Sequence, residues 1–237
     1  MENSLSSVAS AVPGPAPLNP GLCGIAGLRS CRPWVAGIES ALPMPNSLPR
    51  VVLVRHGETD WAREGRHTGI TDAALNANGE AAARQLAGRL DSGQFKQVWS
   101  SPRQRARRTA ELAGFGGVLE IVADLQEWNY GRYEGLKTAE IRTDAPDWMI
   151  FRDGAPGGES PGEISDRADR VVARLREAAG DVLIFSHGHF LRALAARWLE
   201  LPLAAGAHFI LAPAAISVLG YEHGNRAEPA LIRWNEK

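Results

Sequence analysis

The sequence predicts an α/β fold, a three-layer sandwich with a mostly parallel central sheet and helices on both faces. Two observations carry this expectation. Short, uninterrupted apolar runs such as Val51–Val54 and Val182–Phe185 suit parallel strands buried on both faces. Between such runs lie segments with helical apolar spacing and helix-start signals, and this alternation implies crossover connections over a parallel sheet.

In chain order, Val51-Val52-Leu53-Val54 reads as the first strand. A helix follows from about residue 76 to 90, with Asn76 as N-cap and Ala82, Leu86 and Leu90 on one face. Gln97-Val98-Trp99-Ser100 is a second strand. Ser101 as N-cap, with Pro102 at the first helical position, opens a helix to about Ala113. Val118 to Val122 is a third strand. Ser160-Pro161-Gly162-Glu163 is a capping box, and the helix behind it puts Ile164, Ala168, Val171, Val172 and Leu175 on one face. Val182-Leu183-Ile184-Phe185 is a fourth strand, and Phe190 to Leu199 is a helix beyond a His-Gly-His turn. Ile216–Tyr221 and Ala230–Trp234 read as late strands at a sheet edge.

Residues 1–49 differ in kind. They carry eight prolines and no sustained periodicity, so they are expected to form a disordered N-terminal extension to a domain at 50–237. Translation from Met44 is an alternative account of the extension. No basic cluster precedes an apolar run there, so it does not read as a signal peptide.

Composition excludes several classes. With 26 basic and 27 acidic residues the net charge is −1, which gives no general case for a nucleic-acid partner or a membrane surface. No run of 18 or more apolar residues occurs, so no membrane span is expected. The two cysteines, Cys23 and Cys31, both precede the first strand, which disfavours a disulfide scaffold and a thiolate zinc site. A cytoplasmic location is expected.

In open α/β sheets, ligands bind outside the carboxyl ends of the strands. Arg55-His56 follows the first strand, Ser100-Ser101 the second and Ser186-His187-Gly188 the fourth. If those strands are neighbours, two arginines (Arg55 and Arg105) and two imidazoles converge, with Gly57 and Gly188 allowing close backbone approach. Guanidinium forks match phosphate oxygens, and a neutral imidazole can attack phosphorus. Taken alone, His56 is more commonly a satisfied core or surface histidine, and a pair such as His187 and His189 can hold a metal. The neighbouring arginines and the lack of an Asp-rich cluster weigh against a metal.

Several segments in order resemble the histidine phosphatase superfamily, the phosphoglycerate mutase-like proteins. They are Val54-Arg55-His56-Gly57-Glu58-Thr59-Asp60-Trp61, Gly65–Gly69 with Thr71-Asp72, Ser101–Ala110, Leu125–Gly131 with Tyr133-Glu134-Gly135, Gly158-Glu159-Ser160 and Ser186–His189. The resemblance spans about residues 50–222 and implies a phosphoglycerate mutase-like fold. It implies that His56 carries a phosphohistidine, that Arg55, Arg105 and His187 bind the phosphoryl group, and that Glu127 is general acid, then base. Thr68, Gly69, Tyr130 and Gly188 join the phosphate- or substrate-binding set, and no metal or organic cofactor is implied.

Three departures separate the chain from the mutases: Ala62 follows Trp61 where they carry Asn, Thr138 stands where they carry Lys, and only 22 residues separate Gly135 from Gly158. The acid-phosphatase and sugar-bisphosphatase branch is the better match. The expectation is a phosphomonoester hydrolase acting on a small phosphorylated metabolite at acidic to neutral pH. Mutase-type transfer and an inactive phospho-ligand binding module are the alternatives. Thr68, Tyr130, His189 and the Trp148–Arg152 segment are the candidate specificity positions, and a homodimer is left open.

Overall fold

The computed structural model describes residues 48–237; the expectations for the extension, Met44 and the cysteines fall outside the described residues. In chain order the elements are β1 (Val51–Arg55), α1 (Asp60–Glu64), α2 (Ala77–Leu86), β2 (Gln97–Ser100), α3 (Gln104–Leu112), β3 (Leu119–Ile121), α4 (Thr138–Asp144), α5 (Ile150–Asp153), α6 (Pro161–Arg176), β4 (Val182–Ser186), α7 (Gly188–Trp198), β5 (Ile216–Tyr221) and β6 (Pro229–Glu236). The six strands form one sheet in the order β3-β2-β4-β1-β5-β6. β3, β2, β4 and β1 are mutually parallel, and β5 and β6 add an antiparallel flank.

Successive residues of a strand point to opposite faces, and here both faces are apolar and both are covered. Val51, Leu53, Trp99 and Ile184 pack with α6 and α7 through Ala168, Val171, Leu191 and Leu194. Val52, Val54, Val98, Leu183 and Phe185 pack on the other face with Leu86 of α2 and Ala110 of α3. A third apolar group, including Trp128, Tyr130, Trp148, Phe151 and Ile164, sits beside the site described below.

Several boundaries move for definite reasons. Asn76 caps α2 by accepting from the Gly79 N–H, but the helix ends at Leu86, and Leu90 is carried by a following turn. The helix expected from Pro102 starts at Gln104 with Arg103 at its N-cap. Ser101 Oγ accepts from the Arg103 N–H but is also drawn to a histidine 86 positions away. The third strand loses Val118 to a 3₁₀ turn closed by its N–H on the Phe115 carbonyl. The capping box forms as expected, with Ser160 Oγ accepting from Glu163 N and Glu163 Oε2 from Ser160 N. α7 starts at Gly188, so the His-Gly-His segment is the helix's N-cap and first turn. α1, α4 and α5 are short helices that the sequence pattern does not announce.

Candidate active site

The register brings the expected strand ends together. Arg55 pairs with Ser186, and Ser100 with Phe185. The His56 N–H donates to the Ser186 carbonyl at 2.9 Å, and the Ser101 N–H to the Phe185 carbonyl at 3.0 Å.

His56 is 5% exposed. Its Nδ1 lies 2.7 Å from the Gly57 carbonyl oxygen. A carbonyl only accepts, so Nδ1 carries the ring hydrogen and Nε2 keeps its lone pair. Burial, then Arg105, then Arg55, hold the imidazole well below its usual 6.5, so the ring is neutral at neutral pH. The Gly57 N–H donates to Thr109 Oγ1 at 3.0 Å, and that hydroxyl donates to the Arg105 carbonyl at 2.7 Å. The turn that carries His56 is thus tied to α3.

Arg55 donates through Nη1 to the Leu211 carbonyl, and its Nε is shielded from solvent with no partner among the described residues. Gly188 is where the backbone passes this guanidinium; a Cβ there would stand 3.2 Å from Cζ.

Arg105 and His187 are fully buried and lie behind the open cleft. Arg105 Nε donates to His187 Nδ1 at 3.1 Å, so the ring hydrogen is on Nε2, which donates to Ser101 Oγ at 2.7 Å. The fork expected to grip phosphate instead donates to the carbonyls of Thr71, Thr68 and Gly69 at 2.8, 2.9 and 3.1 Å. A buried guanidinium needs acceptors, and the carbonyls of this tight segment supply them. His187 sits 5.2 Å from His56, centroid to centroid.

Glu127 is 8% exposed. Its Oε1 accepts from the N–H groups of Trp128 and Phe190 at 2.9 and 2.8 Å, and its Oε2 from that of His189 at 3.0 Å. The carboxylate therefore occupies the N-terminal end of α7, where free N–H groups and the helix dipole favour an anion.

The cleft, about 190 Å³, is lined by Arg55, His56, Thr68, Glu127, Tyr130, Gly188 and His189, all anticipated, together with Ala62, Gly65, Arg66, His67, Arg192 and Leu211. Gly69 is buried beneath it with both backbone groups engaged, its N–H by Glu134 and its carbonyl by Arg105. A Cβ at Gly69 would meet the Trp128 carbonyl oxygen, which explains the glycine.

His67, part of a quoted motif but given no role there, is anchored by Nε2 on Thr138 Oγ1 at 3.1 Å and held at about 4 by burial. Arg192 lies one helical turn beyond Gly188, a spacing that could have flagged it. Of the Trp148–Arg152 segment, Trp148 reaches the site only through its edge contact with His67, and Arg152 turns away to Asp153.

His187 and His189 do not present two ring nitrogens to one ion: Nδ1 of the first faces a guanidinium, and Nδ1 of the second faces the Tyr130 hydroxyl. Among the described residues, the one group with metal-ligand spacing is Glu222, His223 and Glu228, exposed around the β5–β6 turn and outside the cleft lining.

The family profile described as "Histidine phosphatase superfamily (branch 1)" matches residues 51–237. The chain is 47% identical over 183 residues to an acid phosphatase of Mycobacterium tuberculosis, covering 75% of this chain and 89% of that one. It is 31% identical over 253 residues to sedoheptulose 1,7-bisphosphatase of Saccharomyces cerevisiae, covering 79% and 93%. Among solved structures it is similar to a functionally characterised open reading frame of M. tuberculosis, with a TM-score of 0.75, 42% identity and coverage of 80% and 98%. It is also similar to a mycobacterial glucosyl-3-phosphoglycerate phosphatase, with a TM-score of 0.69, 28% identity and coverage of 80% and 99%.

Proposed function

The chain belongs to branch 1 of the histidine phosphatase superfamily and is a phosphatase of that superfamily; from that premise we propose that it hydrolyses monoesters of small phosphorylated metabolites through a phosphohistidine on His56. One observation carries the mechanism: Nδ1 of His56 is committed to the Gly57 carbonyl, which leaves the Nε2 lone pair as the attacking group.

In the first half-reaction an Nε2–P bond forms and the P–O bond to the leaving group breaks, with Glu127 entering in its protonated form and giving that proton to the departing oxygen. In the second, Glu127 takes a proton from water, the water oxygen bonds to phosphorus, and the Nε2–P bond breaks to release phosphate. Arg55, with its unpartnered Nε beside Gly188, is the most directly available cation for the phosphoryl oxygens. Arg105 and His187 reach the phosphoryl group from beneath, and Arg105 gives up loop carbonyls to do so. Thr68 and Tyr130 border the leaving group.

The mutase reading is weaker, because the Thr138 hydroxyl is engaged by His67 where a mutase would present a lysine. A passive binding module is also weaker, since Arg55, His56, Arg105, Glu127 and His187 are all present and packed together. No helix among the described residues is long and apolar enough to cross a membrane. A cytoplasmic location suits a metabolite substrate.

The test is a phosphate-ester panel, including 3-phosphoglycerate with and without 2,3-bisphosphoglycerate, on the unaltered protein and His56→Ala. Loss of phosphate release by roughly a thousandfold or more is expected in the variant, together with loss of an acid-labile phosphoenzyme trapped by rapid quench. Phosphate release that survives the substitution overturns the mechanism, and efficient isomerisation of 3-phosphoglycerate restores the mutase reading.

A further inference from the structure

The cleft lining contains an arrangement that the phosphoryl chemistry does not use. Tyr130 is 2% exposed, and its hydroxyl lies 2.5 Å from Nδ1 of His189. The hydroxyl makes no other hydrogen bond among the described residues, so its single hydrogen goes to the ring and Nδ1 accepts it. His189 must then carry its own hydrogen on Nε2. That atom has no protein partner among the described residues, and it is not among the solvent-shielded unpaired atoms. His189 lines the cleft, so an N–H donor is presented there.

The ring's position relative to the chemistry is fixed by its own backbone. The His189 N–H donates to Glu127 Oε2 at 3.0 Å, so the residue that offers the donor is bonded to the proposed general acid. A leaving group that takes its proton from Glu127 is thereby brought next to the residue that offers the donor.

We propose that Tyr130 is a positioning residue that locks His189 as its Nε2–H tautomer, and that this N–H donates to a hydroxyl or ether oxygen of the leaving group, selecting esters of polyhydroxy alcohols over aryl esters. The inference rests on the phosphatase reading above and names the chemistry of the alcohol that leaves.

The charge state of the wall supports a neutral rather than an anionic leaving group. Burial and Arg192 hold His189 well below the usual histidine range, and His67 is held at about 4. Burial pushes the Tyr130 phenol up, so its hydrogen stays on. Two of the three cations lining the cleft are engaged within the protein, since Arg192 donates to the carbonyls of Gly206 and Ala207 and Arg66 pairs with Glu64, and the third, Arg55, is the one assigned to the phosphoryl oxygens. The uncommitted donor at this wall is an imidazole N–H, which suits a hydroxyl or ether oxygen.

The test compares glycerol 2-phosphate, a hydroxyl-bearing alkyl ester, with p-nitrophenyl phosphate, an aryl ester without hydroxyls. The variants are Tyr130→Phe, His189→Ala and His189→Gln, the last keeping an N–H donor. Tyr130→Phe and His189→Ala are expected to lower kcat/KM on glycerol 2-phosphate about tenfold, one hydrogen bond's worth. On p-nitrophenyl phosphate, which occupies the same cleft, both are expected to lose less than on glycerol 2-phosphate, by a factor of about three or more. His189→Gln is expected to recover most of the glycerol 2-phosphate rate. In ¹⁵N NMR, His189 is expected as a single Nε2–H tautomer that becomes a mixture in Tyr130→Phe. Equal losses on both esters, no loss on either, or an Nδ1–H tautomer in the unaltered protein overturns the proposal. Failure of the unaltered protein to release phosphate from either ester, or release that survives His56→Ala, overturns instead the reading on which it stands.

Discussion

Glu134 and Arg105 hold the two sides of one loop. The Glu134 carboxylate accepts the N–H groups of Gly69, at 2.9 and 3.0 Å, and of Thr71, at 3.0 Å. Arg105 donates to the carbonyls of Thr68, Gly69 and Thr71 on the same stretch. One side chain satisfies the loop's donors and the other its acceptors, so the loop that carries Thr68 to the cleft is fixed by two charges of opposite sign.

Removing one of the two should therefore disturb the other. Glu134→Ala is expected to raise KM and lower kcat, for a combined loss of about 10- to 100-fold in kcat/KM, from charged hydrogen bonds of about 1.5–3 kcal/mol each. Glu134→Gln, which keeps one acceptor oxygen, is expected to fall between. Steady-state kinetics on p-nitrophenyl phosphate decide it; a kcat/KM within twofold of the unaltered protein in Glu134→Ala would show that the loop does not depend on this clamp.

Thr109 links the nucleophile's turn to α3 without touching the cleft. Thr109→Val keeps the side chain's shape but leaves the Gly57 N–H buried without an acceptor, at a cost of about 1–3 kcal/mol. Kcat is expected to fall by about tenfold with a small drop in Tm, and Thr109→Ser is expected to restore most of it. A Tm loss with unchanged kcat would reduce Thr109 to a purely structural residue.

Acid should destabilise this protein through its histidines. His56, His187 and His189 are held well below 6.5 by burial, and His67 is held at about 4. As pH falls below 6.5 the unfolded chain takes up protons at these rings while the folded chain does not. Stability therefore falls on acidification, by about 1.4 kcal/mol per pH unit for each ring that stays fully neutral in the fold. For His67 the window runs from 6.5 down to about 4. Thermal melts are expected to show Tm lower by several degrees at pH 5 than at pH 7.5. An equal or higher Tm at pH 5 would mean that the rings are charged in the fold. The acid limb of the activity profile is then expected to follow unfolding, because the His56 nucleophile is still neutral there.

Much of this arrangement is readable along the chain because its causes are local. Val51–Val54 and Val182–Phe185 announce buried strands by composition alone, and the caps at Asn76 and Ser160 lie within three residues of the N–H groups they satisfy. The errors share the opposite property. α7 begins at Gly188 because a carboxylate 61 positions away meets its first turn, and α3 begins late, at Gln104, behind a Ser101 whose hydroxyl is shared with His187. Glu134, Thr109 and His67 act through partners 52 to 71 positions distant, so neither periodicity nor capping rules reach them. Arg55, His56 and His187 are legible because strand ends collect them, whereas Glu127 is reached only through the family resemblance; the side chains that orient them become visible only once the chain has closed.

The position of Glu127 at the head of α7 makes one side chain answer to both folding and turnover. Replacement by Gln turns one of its two acceptor oxygens into a donor facing backbone N–H groups. Such a variant loses helix anchorage together with proton transfer, and its residual rate reports the two losses combined. Separating them calls for a melt alongside every rate, and for an externally supplied carboxylic acid to restore the proton without restoring the anchor. Redesign toward other leaving groups is better begun at the side chains of Tyr130 and His189, whose replacement leaves the backbone N–H bonds to Glu127 in place.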